Sequence, residues 1–184
     1  MKKLFLGSIV LLSMFLFFSC NESTSVSPPD NQSILSKATG PSASGKGTII
    51  YENTDMRRIM TFSAITHPDG SVSGSATLVK VSSDASERQV IKLDIDCLNV
   101  NGNVAIMSGT VKNVVVNNVP GEQISDGWLF QFKVIDNGEG ANAEPDQMTH
   151  MANWSPDDPA ALACGDDVGW DLYTIIEGNI QVKP

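Results

Sequence analysis

The most distinctive chemistry in this sequence lies at Asp136-Asn137-Gly138-Glu139-Gly140, continued by Asn142, Glu144, Pro145 and Asp146. Asp136, Asn137, Glu139 and Asp146 offer the hard oxygen ligands that calcium prefers, and Gly138 and Gly140 let a backbone wrap around an ion. The same residue types have a second use. Asp and Asn side chains satisfy backbone N–H groups in tight turns, and glycines there supply positive φ. The spacing is not that of an EF-hand, so both readings stay open, and calcium is the one candidate cofactor.

Trp154 and Trp170 lie in or beside the same acidic stretch. Facing solvent, they would form a binding surface for a ligand such as a glycan; facing inward, they would plug the end of a barrel. The two histidines, His67 and His150, are the only bases available to a Ser/His/Asp site, and no serine is marked as a partner. Cys/His zinc spacing is absent. Carboxylate pairs for glycoside hydrolysis are available in principle, but with 21 Asp and Glu in the chain their presence alone selects nothing.

Two apparent motifs dissolve on inspection. Gly40-Pro41-Ser42-Ala43-Ser44-Gly45-Lys46-Gly47-Thr48 imitates a P-loop, yet Gly47 stands where Ser or Thr is required and a strand pattern follows instead of a helix. Nucleotide binding is therefore not expected. Gly70-Ser71-Val72-Ser73-Gly74 has the outline of a nucleophile elbow, but its centre is Val72, which presents no nucleophile.

The amino-terminal residues set the address. Lys2 and Lys3 precede an apolar run over residues 4–18 that ends at Ser19-Cys20, which reads as a signal peptide over 1–19. The run is too short for a permanent membrane span. Phe17-Phe18-Ser19-Cys20 resembles the lipobox of bacterial lipoproteins, although Phe17 and Phe18 depart from its usual residues. The resemblance implies lipidation at Cys20 after cleavage, and the acyl chains would make the membrane a permanent partner. Asn21 is not the Asp associated with inner-membrane retention, so the expected location is the cell envelope, with the outer membrane favoured. Residues 20–44 are mostly Ser, Thr, Asn, Pro, Ala and Gly with no aromatic residue, a composition that reads as a flexible tether.

Residues 45–184 suit one domain with one core. Loss of Lys2 and Lys3 with the leader takes the formal net charge from -9 to -11. The acid is uneven: residues 134–182 hold ten Asp or Glu and no Lys or Arg. Without clustered Lys and Arg, neither nucleic acid nor an anionic membrane surface is an expected partner. With Cys20 given to lipid, Cys97 and Cys164 remain as an even pair in an oxidising compartment, and a disulfide is expected.

These features must be positioned by strands. Ile91, Leu93, Ile95 and Cys97 alternate with Lys92, Asp94 and Asp96; Trp128, Phe130, Phe132 and Val134 share one face, opposite Gln131 and Lys133. Period-two alternation of this kind marks half-buried strands. Turn chemistry at His67-Pro68-Asp69-Gly70, Asn101-Gly102, Pro120-Gly121 and Asp126-Gly127 separates them. About eight strands are expected, near 47–52, 57–66, 71–81, 89–98, 104–116, 128–136, 147–151 and 171–182. The expected fold is all-β, a single antiparallel meander in a closed or nearly closed barrel with the last strand pairing the first; a β-sandwich is the alternative.

Gly70 to Gly74, the Cys97-Leu98-Asn99-Val100-Asn101-Gly102 hairpin, and Asp136-Asn137-Gly138-Glu139-Gly140 followed by Pro145-Asp146 together resemble an uncharacterised all-β domain of secreted and lipid-anchored bacterial proteins. Cys164 stands in the place of that family's late cysteine. The resemblance covers most of residues 45–164 and implies an all-β domain with a disulfide. It implies no activity. Two functions follow as expectations: a non-catalytic binding or structural module of the envelope contacting glycan or another envelope protein, or alternatively a carboxylate-dependent envelope hydrolase.

Overall fold

The computed structural model describes residues 40–184 except Glu52, Asn53, Ala141, Pro159, Leu162 and Val168. The expected signal peptide, the lipidation site Cys20 and most of the tether lie outside the described residues. All ten regular elements are strands: β1 (Ser42–Ile50), β2 (Arg57–Thr66), β3 (Val72–Val81), β4 (Arg88–Asn101), β5 (Val104–Asn118), β6 (Leu129–Ile135), β7 (Gln147–Thr149), β8 (Ala152–Trp154), β9 (Leu172–Thr174) and β10 (Glu177–Lys183). They form one antiparallel sheet in the order β10-β1-β2-β3-β4-β5-β6-β7-β9, with β8 on β6. The fold is all-β, as the alternation requires. The first strand starts at Ser42, three residues inside the expected tether.

Two expectations are corrected. Ten strands replace eight because one expected strand is broken in two and one further strand, β8, falls where none was expected. The one expected at 147–151 ends at Thr149 as β7, and β8, which starts at Ala152, lies beyond it; the two ladder with different halves of β6, and Thr149 Oγ1 at the end of β7 accepts the Lys133 N–H at 3.0 Å in place of a backbone carbonyl. The one at 171–182 divides at Ile175 and Ile176, where the chain crosses from β7 to β1: Ile175 donates to the Asp146 carbonyl and Ile176 to that of Thr48, both at 2.9 Å. The hydrogen-bonded order therefore ends at β9 on one side and β10 on the other. The sheet is a strongly curled, open half-barrel and not a closed one.

The last strand does pair the first, from Ser42 against Lys183 to Thr48 against Glu177. Small residues permit this contact. A Cβ on Gly178, whose φ is +121°, would stand 2.0 Å from the Lys46 carbonyl oxygen, and one on Gly47 would stand 2.8 Å from Ile175 Cδ1 and Met148 Sδ. The glycines of the apparent P-loop thus serve close strand packing.

The concave face holds the core. Met60, Phe62, Leu78, Ile91, Leu93, Met107, Phe130, Phe132, Val134 and Ile180 pack there, and the Phe62 and Phe132 rings meet edge to face at 5.5 Å. Two details of the alternation change. A register shift between Ile95 and Cys97 bulges β4, so that Leu98 and Val100 turn to the core while Cys97 faces out. Gln131 and Lys133, expected on a wet face, are buried. The segment after β8 is drawn across them: Cys164 is bonded to Cys97 with Cα atoms 5.7 Å apart, and Asp167 takes the Lys133 Nζ on both oxygens at 2.8 Å.

Candidate functional site

The apolar inner wall changes character at one rung. Met60, Leu78 and Ile91 are cross-strand partners and belong to the core. Two residues further toward the end of the sheet, Arg58 of β2, Lys80 of β3, Gln89 of β4 and Asn117 of β5 form the next inward-facing rung. Four neighbouring strands thus place two cations and two amides where an apolar rung would continue. Gln89 Nε2 donates to Asn117 Oδ1 at 2.8 Å, which fixes the far half of the rung.

Glu122 meets this rung from a turn. Pro120 and Gly121 occupy its central positions, Gly121 has φ +77° and the Glu122 N–H reaches the Val119 carbonyl at 3.3 Å, the geometry Pro-Gly favours. The Glu122 carboxylate pairs with Lys80 and lies 3.8 Å from the Arg58 guanidinium. Burial pushes the Lys80 ammonium below its ordinary range, the Glu122 carboxylate opposes that, and Arg58 adds to it.

Aromatic rings complete the walls. The break between β7 and β8 turns His150 toward this mouth, where it stacks on Trp170 at 4.3 Å and meets the edge of Tyr51 at 5.6 Å. The Arg58 guanidinium lies over the Tyr51 ring, 4.6 Å from its centre, a cation–π contact. A cavity of about 340 Å³ lies between Tyr51, Arg58, Lys80, Glu122, His150 and Trp170. Arg58 Nε and His150 Nδ1 are buried there without hydrogen-bond partners. With His150 neutral, the cavity carries two positive charges against one negative, within a chain of net charge -9.

His150 makes the mouth sensitive to pH. Burial, followed by the charges of Arg58 and Lys80, lowers its pKa from 6.5, and Asp171 counteracts in part. As pH falls below 6.5 the unfolded chain binds the proton first, so stability is full above 6.5 and is lost as pH descends toward the folded value. Thermal melts between pH 7.5 and 5 are expected to show this fall, and His150→Phe is expected to flatten it. An unchanged slope in that variant would remove His150 from the explanation.

The structure disposes of the other sequence candidates as follows. Trp154 and Trp170 have ring centres 6.2 Å apart, but only Trp170 lines the cationic mouth; Trp154 stands by a separate crevice on the convex side. Asp136, Asn137, Glu139 and Asp146 share one loop, in which the three carboxylates accept from N–H groups and Asn137 donates. Asp146 Oδ1 accepts from Asn137 N at 2.9 Å and Oδ2 from Ile180 N at 2.8 Å. Asp136 accepts from Gly138 N and Val182 N, both at 2.9 Å. Glu139 accepts from Asn179 and Gln181, and the Asn137 side chain donates to the Pro145 carbonyl. One of them, Asp136 to Gly138, is local to the turn; four others tie the loop to β10. Among the described residues no three His, Cys, Asp or Glu are grouped closely enough to hold a metal ion. His67 Nε2 lies 2.7 Å from Ser73 Oγ at the exposed β2–β3 hairpin, a pairing the sequence did not mark.

Arg58, Lys80 and Glu122 were missed by sequence reasoning. The signal was present for the two cations: Arg58 shares parity with Met60 and Phe62, and Lys80 with Leu78 and Ala76, so period two already turns both inward. No protein-family model, curated protein or solved structure matches the chain, so this geometry stands without a relative to interpret it.

Proposed function

We propose that the protein is a non-catalytic binding module of the bacterial cell envelope, held by lipid at Cys20, that takes a carboxylate-bearing saccharide into the cationic mouth. The observation that carries this reading is the inward rung of partly buried Arg58 and buried Lys80, two cations facing the Glu122 carboxylate, in a cavity walled by Tyr51, His150 and Trp170. Guanidinium and ammonium groups form charge-assisted bonds with a carboxylate, and aromatic faces cover the apolar side of a sugar ring. Glu122 acts as an internal counter-ion that an incoming anion replaces. The described lining holds one carboxylate, Glu122, against two cations, a balance that favours taking up an anion.

Calorimetric titration of the protein with an oligouronate and with the matching neutral oligosaccharide tests the reading. The uronate is expected to bind more tightly, and added salt should weaken it. Arg58→Gln is expected to weaken it by about 10-fold or more, since hydrogen bonds to charged groups contribute about 1.5–3 kcal/mol. Glu122→Gln is expected to tighten it, a change of opposite sign that misfolding cannot mimic. Equal affinity for charged and neutral ligands, or no effect of Glu122→Gln, would contradict the proposal.

A further inference from the structure

Gln131 sits in β6 on the convex side, in one rung with Cys97 of β4 and Ser108 of β5. Only 2% of its surface is exposed, and neither Nε2 nor Oε1 has a hydrogen-bond partner. A buried polar group left unpaired is destabilising, whereas an apolar side chain of similar shape carries no such penalty. Glutamine is thus a poor choice for stability at this position. Directly beside it lies a crevice of about 210 Å³, walled by Trp154, Leu129 and the Cys97–Cys164 bond and rimmed by Asp96 and Ser108. Its described lining contains no cation, which separates it chemically from the Arg58 mouth.

A carboxamide sets one donor and one acceptor side by side. Two adjacent hydroxyl groups of a sugar ring answer both, one donating to Oε1 and the other accepting from Nε2. The Asp96 carboxylate is placed to accept from a further hydroxyl, and the Trp154 indole offers an apolar face to the C–H side of the ring. We infer that this crevice binds a neutral sugar ring through vicinal hydroxyls, with Gln131 as its polar anchor and Trp154 as its stacking wall. The carboxamide is shut off from water, so entry of the sugar displaces part of the wall. Trp154 is partly exposed at the end of β8, at the edge of that wall.

The Gln131 crevice and the Arg58 mouth have separate linings. Neutral hexopyranose oligomers titrated into the protein, followed by calorimetry and tryptophan fluorescence, are expected to bind saturably and to shift the emission. Gln131→Met should reduce that binding by about 10-fold or more while leaving the melting temperature unchanged or raised. Arg58→Gln should leave it intact. Loss of neutral-sugar binding in Arg58→Gln, with Gln131→Met unaffected, would assign the sugar to the other site and overturn the inference. So would the absence of saturation at about 50 mM, where even affinities of a few kcal/mol are visible. A lowered melting temperature in Gln131→Met would make the residue structural and overturn it equally.

Discussion

Replacing Cys97 and Cys164 together by alanine is expected to lower the free energy of unfolding by about 4 kcal/mol, the chain-entropy value for a bond that closes a loop of this length. The two residues are 67 positions apart in sequence, and the bond ties the segment after β8 to β4. Its removal acts on the unfolded chain and also on one face of the fold. Among the described residues, the Lys133–Asp167 pair alone then holds that segment against β6 by a charged contact, and Asp167 is exposed enough for water to weaken it. Denaturant titration of the double variant should show a clearly lower midpoint, and hydrogen exchange should show the β6 amides losing protection before those of β2 and β3. A loss under about 1 kcal/mol would mean that the segment is held by its other contacts and that the bond contributes little.

Asp146→Ala is the second large effect. Asp146 is 8% exposed and its two oxygens serve two backbone donors, Asn137 N and Ile180 N. Ile180 belongs to β10, whose other edge ladders with β1, so this carboxylate ties the last strand to the turn that follows β6. Asp136 repeats the arrangement two residues along, at Val182. Side-chain carboxylates thus bridge the side of β10 that no strand ladders with. Removing Asp146 leaves two N–H groups without an acceptor, at about 1–3 kcal/mol each. Asp146→Asn is expected to be nearly as damaging, because an amide has one acceptor oxygen and would turn a donor toward a donor. Equilibrium unfolding of both variants checks this. If Asp146→Asn were as stable as the parent, the carboxylate would not be acting as a double acceptor.

The legible part of the fold was the part written in period two. β2 matches its expected span, and β3, β4 and β5 differ from theirs mainly at the ends, because their side chains alternate and their turns carry Pro, Gly or Asn at the demanding positions. The Asn101-Gly102 signal gave a hairpin closed by Gly102 and Asn103, with Gly102 at φ +60°. What could not be read were events set by distant partners. The bulge at Asp96 inverts Cys97 through its pairing with β5, and the burial of Gln131 and Lys133 depends on a segment more than 30 residues downstream. The break at Ile175 arises where the chain exchanges one neighbour, β7, for another, β1, which leaves no local mark in composition.

For the site the lesson is similar. Attention went to the acidic turn because its residue types are unusual in sequence, yet their oxygens are engaged in holding β10. The rung of Arg58 and Lys80 is spread over four strands and only becomes one feature when those strands are placed side by side. Trp170, a candidate from its residue type, stacks on His150 in the mouth. Trp154 was grouped with it by sequence, but the fold assigns it to the Gln131 crevice.

The most direct test of the cationic mouth is to locate a bound oligouronate by backbone amide chemical shifts in the protein. The account predicts that the largest changes fall on Tyr51, Arg58, Lys80, Gln123, His150 and Trp170, the residues around that cavity, while Ser108 and Gln131 on the convex side stay in place. Changes centred instead on the loop from Asp136 to Asp146, or spread evenly over the exposed lysines, would contradict it.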